Sequence, residues 1–415
     1  MAVSLTLVQG EVSLALNAGG WALTDALWRP ATGDSADGPT VTETLALRRI
    51  DPTATQVATA VRALSRLLDA AGDPASAAVW LNYAPAGISG WRARVWGGAV
   101  TLRGLPTTGA PISTVFAEMT VQRGPWLSAL PGETVSATLD ATHDATREQR
   151  LLLPADFAPD GDRPAKLALT LTNVGSVATG RLWLGQAPHP GALTDRQITW
   201  EAEAATRTGP ANVAPSAAAT ASAGQVVTFS TSAEAVFTWA LNATQAGYLS
   251  GAAVTGLLRL ASGLAAGSAV EVCLCAKQGA VTLATGEPVL IEAGRTVTEV
   301  GHLRLPEGLN TPLTLVLRLT PRGAPVALSV DALHLLPAES MVAVWPVAGV
   351  EIAPGAVVTL DAHGSARLDG AYGVVVRGAG LQAGVGVANL LVGVAEAVQS
   401  KVLVSVVGYG CTRSC

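Results

Sequence analysis

Apolar and polar residues alternate along most of this chain, which is the pattern of β-strands that bury one face. The clearest apolar rows are Leu167, Leu169 and Leu171, then Leu313, Leu315, Leu317 and Leu319, then Val402, Val404 and Val406. Between residues 199 and 338, short runs of this kind recur about every eight to twelve residues, a spacing typical of a β-sandwich. The pattern predicts a mainly β protein.

One segment, residues 51–73, has helical spacing instead. Its apolar positions three or four apart are Val57, Val61, Leu64 and Leu68. Thr53 and Gln56 have the spacing of a capping box, and Gly72 follows the last apolar position as a helix stop. Strand-like runs lie on both sides, so the first ~130 residues are predicted to form an α+β unit with one main helix.

Composition supports a folded, multidomain chain. Of its 415 residues, 49% are hydrophobic and only 14% are charged, which excludes a disordered protein. The length suggests roughly two to four domains. The 44 glycines and 24 prolines have no fixed period and separate short runs, as in turn-rich β-proteins.

Charge and hydropathy limit the partners. The net charge is −5, and the only lysines are Lys166, Lys277 and Lys401, so we expect no nucleic-acid partner. The first 16 residues lack a basic flank followed by an apolar block, and no secretory signal is expected. The most apolar stretch, 374–398, is broken by charged residues and glycines, so it predicts buried strands and no membrane insertion.

The four cysteines are too few for a disulfide scaffold. Cys273 and Cys275 have strand spacing and are expected to be reduced, about 7 Å apart on one face. For Cys411 and Cys415 a bridge, a metal site and a plain tail all stay open.

Residues 1–130 resemble the hub domain of siphophage distal tail (Dit-like) proteins. The resemblance rests on the order of elements: an opening strand pair, a Thr-Glu-containing strand at 41–48, a helix near 64–71, and closing strands that run into Gln122–Trp126. It implies an N-terminal split-barrel-like hub domain.

A second part of that family, a galectin-like sandwich, is matched in two pieces. Gly161 and Asp162 precede strands at 167–171 and 181–185, which a turn at 173–176 is expected to pair. The closing part is matched by Val357–Asp361, Ala366–Gly370, the approach to Asn389, and the strand 402–409. We therefore assign 131–197 to a connector with the first sandwich strands, and 339–415 to the remaining strands.

Residues 198–338 would then interrupt the sandwich as an inserted β-jelly roll. The insertion opens with Trp200, Glu201, Ala202 and Glu203 and closes with Val330, Asp331 and Ala332. These ends resemble carbohydrate-binding modules of families 6 and 35. The resemblance implies a structural Ca²⁺ held by Glu201, Glu203 and Asp331. Glu201 and Glu203 are predicted to point to the same face of one strand, and carboxylate oxygens are suitable Ca²⁺ ligands. Ordinary solvated carboxylates are the alternative, and no other cofactor is expected.

Aromatic residues supply the other candidate sites. Ten tryptophans stand against four tyrosines and four phenylalanines. In the insertion, Trp239 and Tyr248 could stack on a sugar, although the shared strand face of Phe237 and Trp239 also fits a core. Trp126, at the end of a strand, is a candidate for a subunit interface.

The sequence favours a non-enzymatic protein. Gly87–Gly90 does not complete a hydrolase nucleophile elbow, and the five histidines lack metal-ligand spacing. The resemblance implies a structural virion protein at the phage tail tip, made in the host cytoplasm. It also implies that the hub domains form a homo-oligomeric ring, hexameric as in that family. The expected partners are tail tube, tape-measure and tail-hub proteins, and a host surface glycan is a further possible ligand. The alternative is a secreted or surface carbohydrate-binding protein.

Overall fold

The computed structural model describes most of the chain. The described residues are 4–18, 20–24, 41–50, 53–73, 76–84, 90–103, 114–128, 132, 134–140, 148–155, 157, 163–188, 198–219, 221–291, 293–323, 325–348, 350–362, 365–378, 380–384, 386–396 and 401–412. Within them, two α-helices and three short 3₁₀ helices accompany thirty-one strands. The prediction of a mainly β fold is confirmed.

The N-terminal unit contains eight strands and one long helix. The elements are β1 (Ser4–Gln9), β2 (Val12–Ala15), β3 (Trp21–Leu23), β4 (Val41–Ile50), α1 (Ala54–Ala71), β5 (Val79–Ala84), β6 (Trp91–Arg103), β7 (Thr114–Arg123) and β8 (Trp126–Ser128). The predicted capping box forms, because Thr53 accepts from the Gln56 amide and the Gln56 side chain accepts from the Thr53 amide. Leu64, Leu67 and Leu68 of α1 pack with the apolar faces of β1, β4, β5, β6 and β7 in one core.

Four strands follow, and two of them lie where a connector was expected. They are β9 (Thr134–Asp140), β10 (Glu148–Leu153), β11 (Arg163–Asn173) and β12 (Leu182–Pro188). β9 and β10 each pair with a strand from the end of the chain, so this region contributes directly to the sandwich. The prolines and glycines between residues 127 and 163 favour a connector, and the alternating runs between them are short.

The middle of the chain forms a module of two facing six-stranded sheets, which we call the inserted module. Its elements are β13 (Thr199–Glu201), β14 (Thr206–Thr208), β15 (Ser216–Ala217), β16 (Gln225–Thr231), β17 (Ala235–Leu241), α2 (Ala243–Tyr248), β18 (Ala253–Leu260), β19 (Val270–Gln278), β20 (Val281–Thr285), β21 (Val289–Leu290), β22 (Val297–Arg304), β23 (Leu313–Pro321) and β24 (Val326–Pro337). One sheet has the order β15-β16-β24-β18-β22 with β13 added, and the other β14-β17-β23-β19-β20 with β21 added. Their inner faces enclose a separate apolar core.

The final strands return to β11 and β12. They are β25 (Met341–Pro346), β26 (Val357–Leu360), β27 (Ala366–Leu368), β28 (Val374–Arg377), β29 (Gln382–Ala383), β30 (Asn389–Ala395) and β31 (Lys401–Thr412). β11 pairs with β26, β29 and β31 in the first sandwich sheet. β12 pairs with β25 and β30 in the second sandwich sheet. Side chains from both sheets share one core, with Leu167, Leu169 and Leu171 all buried in it.

The expected hairpin between β11 and β12 does not form. The two strands lie in opposite sheets of the sandwich, and the segment between them crosses from one sheet to the other. Asn173 holds this crossing, because its side-chain amide donates to the carbonyls of Val177 and Ile352. Turn residues predict that the chain changes direction, but they do not predict whether the next strand joins the same sheet or the opposite one.

The inserted module occupies the loop of a β-hairpin. β12 and β25 are antiparallel neighbours, with Gly185 opposite Met341, and the chain between these residues forms the module. The second sandwich sheet is buried on both faces: Leu184 and Val342 point into the sandwich, while Trp183 and Val392 point to the module. The four sheets therefore stack in succession.

The N-terminal unit is joined to the sandwich through hydrogen-bonded strands. β8 pairs with β6 on one side and with the end of β31 on the other, so one fourteen-stranded sheet runs through both units. The Arg92 guanidinium lies 4.6 Å from the Trp80 ring centroid and 4.7 Å from that of Tyr409. These stacked contacts tie β5 and β6 to β31.

Candidate functional site

The three carboxylates predicted to bind calcium are arranged differently from the prediction. Glu201 ends β13, but Glu203 lies in a 3₁₀ helix (Ala202–Ala204) and so does not share a strand face with it. Ser222 links the other two, since its Oγ donates to Glu201 Oε1 at 2.7 Å and its amide to Asp331 Oδ1 at 2.9 Å. The predicted geometry, with two glutamates on one strand, is therefore wrong.

A metal centre is not assembled from these groups in the described part of the chain. There, no three or more His, Cys, Asp or Glu side chains are grouped so that they could hold a metal ion. Glu203 Oε2 is buried and accepts no hydrogen bond from any described residue. Burial raises the pKa of the Glu203 carboxyl, an effect opposed by its backbone hydrogen bond and by the nearby Arg207.

The predicted sugar-stacking pair is not an exposed surface. Trp239 is only 4% exposed, its indole Nε1 donates to the Glu201 carbonyl at 2.8 Å, and its ring stacks on Phe237 with centroids 6.1 Å apart. Alternate residues of β17 point into the core of the module, and Trp239 is one of them. Tyr248 is half-buried at the end of α2, and the buried Trp239 cannot form an exposed stacking pair with it. The prediction for Trp239 is wrong, because its strand face is covered by the opposite sheet.

Trp126, the predicted interface residue, is fully buried. Its ring lies 5.9 Å from that of Tyr83, and the Arg123 guanidinium lies 4.7 Å from its centroid. β8 is enclosed between β6 and β31, so this indole belongs to the core of the N-terminal unit. It cannot contact another subunit without unfolding this region, and the interface prediction for Trp126 is corrected.

Among the described residues, neither Cys273 nor Cys275 is part of a possible metal site. Cys273 and Cys275 are free thiols on β19, as expected, and burial raises the pKa of Cys273. The backbone of Cys411, in β31, pairs with Arg163 of β11 and with Leu127 of β8. Cys415 lies outside the described residues.

A cleft of about 570 Å³ lies between the N-terminal unit and the sandwich. The end of α1 and strand β6 form one wall, β11 and β26 form the floor, and β27 and β28 form the other side. Its polar and aromatic lining includes Arg94, Trp96, Thr359, Asp361, Arg367 and Tyr372. We call it the interdomain cleft.

Arg94 and Trp96 reach the interdomain cleft because β6 alternates. Ala93 and Val95 face the core of the N-terminal unit, so the side chains between and after them point to the opposite face. The Arg94 guanidinium lies 5.1 Å from the centroid of the Trp96 ring. Trp96 is half-buried, while Tyr372 on the far side is 69% exposed.

The interdomain cleft contains a buried cation that is incompletely paired. The Arg94 side chain is 7% exposed, its Nη1 lies 3.8 Å from Asp361 Oδ2, and its Nε is buried without a hydrogen-bond partner among the described residues. Burial lowers the pKa of Arg94; Asp361 opposes this change, and neighbouring Arg367 adds to it. Arg367 itself donates to the carbonyls of Ser76 and Gly370.

Sequence reasoning missed this cleft. The run Trp91–Trp96 alternates so that Arg92, Arg94 and Trp96 share a face, and this signal was available. The sequence predicts Asp361 only as the end of the strand-like run Val357–Asp361. The contact between Arg94 and Asp361 joins residues 267 positions apart, and no local pattern predicts it.

The known proteins that are similar to this chain are solved structures with low TM-scores. No protein-family model and no curated protein matches the chain. Similar solved structures include SPP1 Dit, described as a paradigm of the hub adsorption apparatus in phages that infect Gram-positive bacteria, at 9% identity over 77% of this chain and 99% of that chain, with a TM-score of 0.22. Another is VP2 of the infectious bursal disease virus subviral particle, at 11% identity over 68% of this chain and 81% of that chain, with a TM-score of 0.18. A third is the structure of the Gx strain of that virus, at 10% identity over 68% of this chain and 81% of that chain, with a TM-score of 0.19. Likeness at this level carries no conclusion about activity.

No helix among the described residues is long and apolar enough to cross a membrane.

Proposed function

We propose that this chain is a structural, non-enzymatic component of a phage tail tip, a distal tail protein whose N-terminal units form a homo-oligomeric ring, hexameric as in the family it resembles. The ring would join the tail tube to the tip or baseplate, next to tape-measure and tail-hub proteins. The inserted module would project from the ring as decoration or as an arm that binds glycans weakly.

The observation that carries the proposal is the way the sandwich is assembled. Strands β11 and β12 pair with strands more than 150 residues later, and the inserted module fills the hairpin loop between β12 and β25. A hairpin tip accepts an insertion without disturbing the sheet below it. The N-terminal unit and the sandwich keep cores of their own beside the inserted module. This arrangement suits a ring-forming scaffold that carries an accessory module.

The ring can be tested on the purified full chain. A closed ring repeats one heterologous contact, so two different surfaces of each copy must be complementary. Negative-stain images and light scattering are expected to reveal a closed ring of six copies. A strict monomer that binds a polysaccharide column would contradict the proposal and favour a secreted or surface carbohydrate-binding protein.

Charged substitutions can locate the contact. Val12 and Phe116 are exposed apolar residues of the N-terminal unit, at 58% and 49% exposure. V12E and F116E place a charge on that unit, and V281E places the same charge on the inserted module, where Val281 is 63% exposed. We expect at least one of the first two to release monomers and the third to leave the ring intact. Loss of the ring only in V281E would assign the contact to the module instead.

A further inference from the structure

The interdomain cleft presents a combination of groups that no part of the proposed tail role uses. A guanidinium is expensive to bury unless its charge is paired and its N–H groups find acceptors. Arg94 meets neither condition fully: Asp361 Oδ2 is 3.8 Å away, beyond hydrogen-bond distance, and the buried Nε has no partner among the described residues. Arg94 lines the cleft, so an acceptor bound there would complete the pairing of its guanidinium charge.

The charge of the lining specifies the kind of acceptor. Two guanidiniums, Arg94 and Arg367, face the interdomain cleft with one carboxylate, Asp361, leaving an excess of one positive charge among the lining side chains. A single carboxylate matches that excess, and the planar guanidinium binds a carboxylate through two parallel hydrogen bonds. A group with two negative charges would exceed it.

The other lining residues indicate which kind of molecule carries the carboxylate. Trp96 and Tyr372 offer flat aromatic faces, and the Thr359 and Ser365 side chains offer hydroxyl groups. A sugar ring presents apolar C–H faces to aromatic rings and hydroxyl groups to polar side chains. A volume of about 570 Å³ is within the range of small-ligand sites.

We propose that the interdomain cleft binds a sugar that bears a carboxylate, as in a uronic acid residue. Arg94 and Arg367 hold the carboxylate, Asp361 keeps Arg94 in place, and Tyr372 covers the ring. The site lies outside the inserted module, so it is distinct from the glycan-binding arm proposed above. Ring formation and sugar binding are separate measurements, and either can fail without the other.

The test is calorimetric titration of the full chain with a galacturonate trisaccharide. The neutral galactose trisaccharide and a short polyglutamate peptide are the comparison ligands. Binding of the acidic sugar, with at least tenfold weaker binding of both others, is the expected result. Equal binding of acidic and neutral sugars, or binding of polyglutamate alone, overturns the proposal, and the second result would assign the cleft to an acidic protein partner.

Variants connect the binding to the cleft. R367Q is expected to weaken binding about tenfold, since a charge-assisted hydrogen bond is lost, and Y372A several-fold. Because Tyr372 is exposed, Y372A tests the site even if R94Q or R367Q lowers the melting temperature. The controls R304Q and L290A remove an exposed arginine and an exposed apolar side chain of the inserted module, and they should bind like the unaltered chain. Unchanged affinity in both R367Q and Y372A would refute the assignment.

Discussion

Arg123 and Glu43 form an ion pair almost completely shielded from water in the N-terminal unit. Arg123 donates from Nε to Glu43 Oε1 at 2.9 Å and from Nη1 to the Gly124 carbonyl at 2.9 Å, and its guanidinium covers the Trp126 ring. Both side chains are at most 2% exposed. At the residue scale, such pairs are costly to break because the remaining charge stays buried.

We therefore expect R123M to destabilise the N-terminal unit by about 3–5 kcal/mol, because it leaves the Glu43 carboxylate without its cation. Denaturant unfolding followed by tryptophan fluorescence measures the change. The control is R103Q, which removes the solvent-exposed pair with Glu118 on the same sheet and should cost about 1 kcal/mol or less. Similar effects of both variants would contradict this account.

Glu203 supports a second prediction at the residue scale. Its pKa is raised in the folded chain, so folding favours the protonated acid. The stability of the folded chain therefore falls as the pH rises from the unfolded pKa of Glu203 through its folded pKa. E203Q removes the cost and should raise the melting temperature at pH 7, with a smaller gain near pH 4. The exposed E307Q is the control.

The opposite sign would reopen the calcium question. If E203Q lowers the melting temperature at pH 7, and a chelator lowers that of the unaltered chain, a cation neutralises Glu203. Metal ligands must be deprotonated, so a bound cation would favour the charged carboxyl that burial alone disfavours.

At the scale of elements, α1 combines a local signal with a tertiary one. Thr53 and Gln56 satisfy amides at its N-terminus, while Leu64 and Leu68 attach it to the sheet. Gly98 permits the close approach: a Cβ there would lie 2.2 Å from the Thr120 carbonyl oxygen and 3.1 Å from Leu68 Cδ2. The packing of α1 on the sheet therefore depends on a glycine in β6, outside the helix.

We expect T53A to destabilise the N-terminal unit by about 1 kcal/mol, since the Gln56 amide loses its acceptor. T53S keeps the hydroxyl and should have a smaller effect. The measurement is the denaturant midpoint of the unit. Equal losses in T53A and T53S would imply that the Thr53 methyl group, rather than its hydroxyl, is responsible.

At the scale of the whole molecule, the inserted module is held on the sandwich by an interface with its own apolar centre. Trp183, Leu257 and Val392 are buried there, and the Trp183 indole donates to Glu299 Oε1 at 2.7 Å. Across the same interface, Arg259 Nη2 donates to the Ala395 carbonyl at 2.7 Å. Apolar burial and hydrogen bonds to charged groups together fix the orientation of the module.

Removal of the module tests how far the sandwich is independent. Replacing residues 189–338 with a short glycine linker should let β12 and β25 close a simple hairpin, because they are already adjacent. The shortened chain should fold but bind a hydrophobic dye through the uncovered face around Trp183 and Val392. Adding W183S and V392T should reduce the dye signal. If even this polar version fails to fold, the sandwich requires the module.

The amino-acid sequence alone predicts the local features of this protein. Residue spacing and composition predict the capping box of α1, the buried rows of β11 and β31, and the buried strand β30, which is apolar after Asn389. Spacing identifies which side chains share a face, because helices and strands have fixed periods. A resemblance at both ends of the module also predicts an insertion at residues 198–338.

The covered faces and the contacts between distant residues become visible only in the folded chain. Trp126 and Trp239 are buried by strands far away in the chain, so their aromatic character alone could not separate a core residue from a binding residue. The placement of β11 and β12 in opposite sheets, and the meeting of Arg94 with Asp361, likewise depend on long-range strand pairing. Pairing between distant strands is a property of the whole sheet, and a local pattern of residues does not contain it.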